Sequence, residues 1–230
     1  MTMGYQCGKF QVKIRKSDFA RNPSSIAEIV LDEDQLQYVS WDAFFTHILL
    51  HEVAHSNGPH STIGPNSTTV REQLQQYHSA IEEAKADITG LFAAHYFVQK
   101  GQILHISLEN FYVTFLAGGF RSIRFGLEDS HGRGQALQLN YLIDQKGFEY
   151  NSQTQRFRVN FEHITQAVKN LTTHILKLQG DGNKELAQES LDRWGNTRDY
   201  TKIILNKLKT IPVDVSPIFS AVEYLQDNMG

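Results

Sequence analysis

This 230-residue chain lacks a pair of cysteines, long apolar runs and an excess of positive charge. Its single cysteine, Cys7, excludes an intrachain disulfide, so the fold must depend on a buried core. No apolar run approaches the roughly 20 residues of a membrane-spanning helix, and residues 1–9 lack the apolar stretch of a signal peptide. A net charge of -3 without Lys/Arg runs argues against nucleic acid or a membrane as a partner. We therefore expect a cytoplasmic protein.

The composition is that of an ordinary globular protein, with 40% hydrophobic and 20% charged residues. We predict one mainly α-helical domain over residues 1–230, with a short N-terminal strand and a β-hairpin near residues 148–159. The strand, within residues 5–15, could pair with that hairpin or belong to a sheet whose other strands lie upstream. The predicted helices are a short one within 24–39, a helix from the Ser40 cap to Gly58, one from the Thr69 capping box to Gly101, and those at 106–118, 121–147, 161–179, 183–194 and 198–209; an extended tail follows from Pro212.

The segment with the clearest chemical pattern is His51-Glu52-Val53-Ala54-His55, an H-E-x-x-H sequence. It lies in a stretch with helical apolar spacing, so the two histidines occupy one helix face, a turn apart. Two imidazoles in this arrangement can bind one metal ion, and Glu52 projects beside them without being needed as a ligand. Glu52 is therefore the candidate general base for a metal-assisted hydrolysis.

A third metal ligand is expected from the next helix, in Ile81-Glu82-Glu83-Ala84-Lys85-Ala86-Asp87. Both Glu82 and Glu83 are candidates. We favour Glu83 because Asp87 then lies one turn further on, where it can accept the outer ring N–H of a metal-bound histidine. Two His and one Glu in an open tetrahedral site suit Zn²⁺, although cobalt or manganese could occupy the same ligands.

Two later segments extend the pattern. The chain continues with Phe120-Arg121-Ser122-Ile123-Arg124-Phe125-Gly126 and His131-Gly132-Arg133-Gly134. Arg121, Arg124 and Arg133 are candidate ligands for substrate carbonyls or a carboxylate, and they could equally be surface charges. The glycines at 126, 132 and 134 indicate that a substrate or the zinc helix approaches the backbone closely.

Taken together, H-E-V-A-H, E-E-A-K-A-D and the 120–134 segment resemble the dipeptidyl peptidase III family of zinc peptidases, M49. The chain is most similar to a shorter branch of M49-like zinc hydrolases, some of which occur with Nudix domains. The resemblance runs from about residue 25 to about residue 219. Two features depart from the family: the best-known eukaryotic members carry H-E-x-x-x-H, and members are longer and two-lobed, with little of the half before the zinc helix present here.

The resemblance implies a multi-helix catalytic lobe of the gluzincin type, equivalent to the C-terminal lobe of the longer proteins. It implies one Zn²⁺ per chain, a peptide substrate, and release of N-terminal dipeptides. It also implies that His131 stabilises the oxyanion formed during hydrolysis. The alternatives are a catalytic-lobe fragment or zinc-stabilised binding module with little turnover, whose cleft needs a substrate lobe or partner chain, and a zinc hydrolase of a non-peptide amide or ester.

Overall fold

The computed structural model describes residues 2–7, 10–15, 23–64 and 67–211. The tail predicted from Pro212 onwards lies outside the described residues. The described chain is mainly helical, as predicted, with two small two-stranded antiparallel sheets. The strands are β1 (Thr2–Cys7), β2 (Phe10–Arg15), β3 (Phe148–Asn151) and β4 (Arg156–Val159). The α-helices are α1 (Pro23–Val30), α2 (Trp41–His55), α3 (Val70–Leu74), α4 (His78–Gln99), α5 (Leu108–Ile123), α6 (Ser130–Asp144), α7 (Ile164–Asp181), α8 (Lys184–Trp194) and α9 (Asp199–Lys207).

Helix α4 runs through the core and packs against α2, α5, α6 and α7. Small side chains on α4, including Ala80 and Ala84, are buried at these contacts. Two glycines allow especially close approach: a Cβ on Gly90 would lie 3.1 Å from the backbone nitrogen of His51, and one on Gly134 would lie 2.9 Å from the carbonyl oxygen of Ala80. This close packing places three helices with metal-ligating side chains next to one another.

The close approach expected at the glycines in 126–134 is present at Gly134, but its partner is not the helix that was expected. Gly134 lies against α4, the helix with the glutamates, rather than against the zinc helix. Gly126 has a φ of +97°, which ends the preceding helical segment, and Asp129 then caps α6 by accepting from the backbone N–H groups of His131 and Gly132. The predicted helix at 121–147 is therefore wrong at its start: α5 continues to Ile123 and α6 begins at Ser130.

Two other predicted boundaries differ from the structure. The helix expected to reach Gly58 ends at His55. The helix expected from Thr69 to Gly101 does begin with the predicted capping box, but it is interrupted after Leu74, where Gln75 has a φ of +52°. A 3-10 turn over Gln75–Tyr77 precedes α4. Apolar periodicity does not reveal such a break, because apolar residues face the core both before and after it.

The N-terminal region contains a hairpin where a single strand was predicted. Strands β1 and β2 pair antiparallel, with Thr2 opposite Arg15, and they form a sheet separate from β3 and β4. The pairing suggested between residues 5–15 and the hairpin at 148–159 is therefore wrong. The hairpin at 148–159 is present as predicted, with Phe148 opposite Val159. Among the helices that the structure describes, none is long and apolar enough to cross a membrane.

We expect Gly134→Ala to lower the free energy of unfolding by about 1–3 kcal/mol, because the added methyl group would push α6 away from α4. Gly118→Ala is the matched control: a Cβ at this helical position meets no heavy atom within 4 Å. Alanine has the higher helix propensity, so this variant should be more stable by up to about 1 kcal/mol. Urea denaturation of both variants measures the two changes. A Gly134→Ala protein as stable as Gly118→Ala would contradict the packing argument.

Candidate metal centre

Helix α2 presents His51 and His55 on one face. Its start is set by Ser40, whose side chain accepts a hydrogen bond from the backbone N–H of Ala43, as the sequence predicts. Four residues separate the histidines, and their Nε2 atoms lie 3.0 Å apart. Both rings therefore direct a nitrogen towards the same point.

Helix α4 brings Glu83 to that point. Its Oε2 lies 3.4 Å from Nε2 of His51 and 3.5 Å from Nε2 of His55. With Zn–N and Zn–O distances of about 2.0–2.1 Å, the ligand atoms of a tetrahedral zinc site are separated by roughly 3.3–3.4 Å. The spacing of these three atoms fits a tetrahedral metal ion.

Helix α6 adds His131 to the same cluster. Its Nε2 lies 3.2 Å from Oε2 of Glu83, and its side chain is 56% exposed. His51, Glu83 and His131 also form a group whose ligand atoms all lie within 4.8 Å of one another. Sequence reasoning from the residues made only a weak case for His131, and the fold brings it to the metal-ligating side chains.

The chemistry of Glu83 agrees with a metal at this point. Its Oε2 is buried and has no hydrogen-bond partner in the described part of the chain, although three imidazole nitrogens surround it. A buried carboxylate oxygen without a partner is costly, and a bound cation removes that cost. The side chains present therefore fit a divalent metal.

The predicted contact between Asp87 and a histidine of the cluster is present. Oδ1 of buried Asp87 lies 2.7 Å from Nδ1 of His51, and Oδ2 accepts from the amides of Gln135 at 2.5 Å and Gln138 at 3.2 Å. The carboxylate thus holds the outer ring nitrogen of His51, which is the contact that orients a metal-binding imidazole.

The second histidine has an equivalent partner that sequence reasoning missed. Oε1 of Glu82 lies 3.0 Å from Nδ1 of His55 and 2.8 Å from Nζ of Lys85, and Oε2 accepts from Gln179 at 2.8 Å. Glu82, the less favoured of the two ligand candidates, therefore orients His55. The sequence shows the two adjacent glutamates, but their spacing does not indicate that Glu82 faces an Nδ1 atom while Glu83 faces the Nε2 atoms.

Lys85 is almost completely buried beneath this network. Besides Glu82, its ammonium group donates to the backbone oxygens of Ala54 at 2.7 Å and Asn57 at 2.9 Å. These oxygens lie at the C-terminal end of α2, where carbonyl groups lack helical partners and a positive charge is favourable. Lys85 thus fixes the end of the metal-binding helix to α4.

The two carboxylates determine which histidine nitrogens can bind a cation. An Nδ1–H that donates to Asp87 or Glu82 leaves the Nε2 lone pair of each ring facing the cluster. Burial lowers the pKa of His51, but its contacts with Asp87 and Glu83 outweigh this effect and raise the pKa to about 10. For His55, the contacts with Glu82 and Glu83 raise the pKa to about 9. Without a metal, the cluster therefore attracts protons.

A cavity of about 260 Å³ adjoins the cluster, between α2 and α5. Glu52 lines it together with His51 and His131, so the predicted general base faces the same space as the ligands. Of the three arginines singled out in the sequence, Arg121 lines this cavity. Arg124 donates to the backbone oxygen of Ile211, and Arg133 lies 3.9 Å from Asp192; neither lines the cavity.

Metal binding should become tighter as the pH rises. The raised pKa values mean that the imidazoles are protonated below about pH 9 in metal-stripped protein, and the metal must displace those protons. We expect release of at least one proton per Zn²⁺ at pH 7, and an apparent affinity that increases at least about tenfold per pH unit. Calorimetry in buffers of different ionisation enthalpy measures the proton count. Binding without proton release would contradict the assigned network.

Replacement of Glu82 should weaken metal binding without removing a ligand. We expect Glu82→Gln to reduce the affinity for Zn²⁺ by about 10–100-fold, as is usual when the partner of a metal-binding histidine is lost. Competition with a chelator measures the affinity, and Glu185→Gln on the exposed face of α8 is the matched control. Loss of all zinc from Glu82→Gln would instead identify Glu82 as a direct ligand.

Comparison with known proteins gives consistent structural matches. No protein-family model matches the chain. The structure of DPP III from Caldithrix abyssi superimposes with a TM-score of 0.88 at 34% identity, over 94% of this chain and 42% of that one. Dipeptidyl-peptidase III from Corallococcus sp. strain EGB gives 0.86 at 41% identity, over 96% of this chain and 42% of that one.

A curated relative carries a different name. Nudix hydrolase 3 from Arabidopsis thaliana is 42% identical over 218 residues, covering 93% of this chain and 28% of that protein. The chain thus spans about two-fifths of each DPP III structure and less than a third of the curated relative. Its described residues have the fold of the corresponding part of dipeptidyl-peptidase III, and this similarity supports a hydrolase of the peptidase class.

Proposed function

We propose that this chain is the zinc-bearing catalytic domain of a metallopeptidase of the dipeptidyl peptidase III family, M49, which releases dipeptides from the N-termini of peptides. The observation that carries the proposal is the convergence of His51, His55 and Glu83 on one point beside a cavity that Glu52 lines. The match to two dipeptidyl-peptidase III structures supports the reaction class.

In this proposal His51, His55 and Glu83 hold one Zn²⁺. Two imidazoles and a carboxylate are a common ligand set for catalytic zinc, and they leave one position open. Asp87 and Glu82 orient the two imidazoles through Nδ1, so the ligands keep their geometry when a substrate binds. When bound, Zn²⁺ polarises the scissile carbonyl group and lowers the pKa of the attacking water.

Glu52 moves the proton in the proposed mechanism. Its carboxylate accepts a proton from the attacking water while the water oxygen bonds to the carbonyl carbon. The carbon–nitrogen bond then breaks, and Glu52 returns the proton to the leaving amine nitrogen. In this proposal His131 donates a hydrogen bond to the oxygen that becomes negative; its half-exposed ring beside the ligand cluster, in the lining of the same cavity, supports this role.

One observation favours a second candidate function, a zinc-stabilised binding module with little turnover. The chain spans 42% of each DPP III structure, so the larger part of those structures has no counterpart in it. In this second candidate, residues that hold an extended peptide belong to a further lobe or a partner chain. Zinc would still stabilise the module, because its ligands join α2 to α4.

The test compares zinc-loaded protein with Glu52→Gln on a mixture of unblocked oligopeptides, with mass spectrometry of the products. We expect dipeptides from the N-terminal ends, no product from the same peptides with acetylated N-termini, and a loss of at least about 10²-fold in kcat for Glu52→Gln. Metal analysis should find one zinc per chain in both proteins, since glutamine at this position removes no ligand.

Each contrary outcome has a separate meaning. Substantial cleavage by Glu52→Gln would overturn the role of Glu52 as the base. Products other than dipeptides would overturn the exopeptidase assignment while leaving the peptidase class intact. No cleavage by the zinc-loaded unmutated chain would favour the binding module.

A further inference from the structure

The cavity beside the metal cluster has a second, apolar part. Along α2 its lining runs from Ala43 to Glu52, about two and a half helical turns. The apolar side chains in the lining are Ala43, Phe44, Ile48, Phe111 and Phe115. Pockets for whole drug-sized ligands occupy roughly 300–1,000 Å³, so a cavity of about 260 Å³ suits a single side chain.

Two polar groups beside these apolar side chains have partners within the protein. The hydroxyl of Thr114 accepts a hydrogen bond from the backbone N–H of Ser40 at 3.0 Å. Nε2 of His47 lies 3.0 Å from the backbone oxygen of Asp87. A polar side chain entering this space would leave hydrogen-bonding groups unpaired, whereas an apolar one would lose nothing.

Two consecutive glycines in the middle of α5 border the cavity, and they differ in what requires them. A Cβ on Gly119 would lie 3.0 Å from Oε1 of Gln135, the residue whose amide binds Asp87. Packing therefore explains Gly119. At Gly118, which is half-buried, a Cβ would meet no heavy atom within 4 Å. Packing does not explain this glycine, although it lowers the helix propensity of α5.

We propose that Gly118 is a specificity-determining residue, which keeps the cavity open for a large apolar or aromatic substrate side chain next to the scissile bond. This inference rests on the proposed function and names its substrate class. The position next to the scissile bond follows from the shared lining, because His51, Glu52 and His131 border the same cavity as Gly118. Any side chain longer than that of glycine at this position would project into the space.

The test measures peptide binding, so that it does not depend on turnover. Zinc-loaded Glu52→Gln protein is titrated with penta-alanine and with five variants of it, each carrying phenylalanine at one position. We expect phenylalanine at one position to lower the dissociation constant by about tenfold or more, as burial of a phenyl group would. Gly118→Val in the same background should reduce this ratio of dissociation constants to near one.

Two controls separate a filled cavity from a damaged fold. Gly118→Ala should unfold at a temperature no lower than the parent protein and reduce the phenylalanine preference less than Gly118→Val. Gln188→Val, on the exposed face of α8, introduces the same side chain at a remote site and should leave the preference unchanged.

The outcomes separate this inference from the proposed function. No phenylalanine preference at any position, or a preference that survives Gly118→Val, would overturn the inference. If Gly118→Val removes the preference but the protein with Glu52 intact cleaves none of the peptides, the result would support the pocket and overturn the peptidase proposal. Cleavage of the peptides to dipeptides, without a phenylalanine preference at any position, would support the peptidase proposal and overturn the inference about Gly118.

Discussion

The structure depends on one electrostatic constraint, the convergence of two imidazole nitrogens and a carboxylate oxygen on a single point between α2 and α4. Such atoms repel one another unless a cation lies between them. Around that point, the carboxylates of Glu82, Glu83 and Asp87 exceed the single charge of Lys85 by two negative charges, which a divalent metal ion offsets. Burial of these groups is tolerable because each has a defined partner: Lys85 and Gln179 for Glu82, amide groups for Asp87, and the metal position for Glu83.

The rest of the fold keeps that point fixed. Gly90 lets α2 approach α4, and Gly134 lets α6 approach α4. Side chains from the three helices can therefore meet at one point. Lys85 ties the last carbonyls of α2 to α4, which stabilises the end of the helix next to His55. On the open side, α5 completes the cavity, and its two glycines serve different needs: Gly119 makes room for Gln135, and Gly118 leaves space unfilled. Packing and the proposed substrate site therefore place different requirements on two neighbouring residues of α5.

Local sequence signals predicted much of the architecture. The Ser40 cap, the Thr69 capping box and the hairpin at 148–159 all depend on contacts between near neighbours in the chain, and all are present. Predictions failed where the backbone changes direction without a change in apolar pattern, as at Gln75, or where a two-stranded hairpin has the same alternation as one strand, as in residues 2–15. Local apolar spacing carries no information about such breaks, because apolar residues face the core both before and after them.

For the candidate site, the sequence by itself determined the residues that a single helix brings together. His51 and His55 share a face of α2 with Glu52 beside them, and Glu83 and Asp87 share a face of α4, because a helix repeats every 3.6 residues. Only the tertiary structure decided which glutamate faces the Nε2 atoms and which the Nδ1 of His55, that Lys85 is buried, and that His131 joins the cluster. These facts depend on the rotation and distance between helices far apart in sequence, which close packing sets and local periodicity does not.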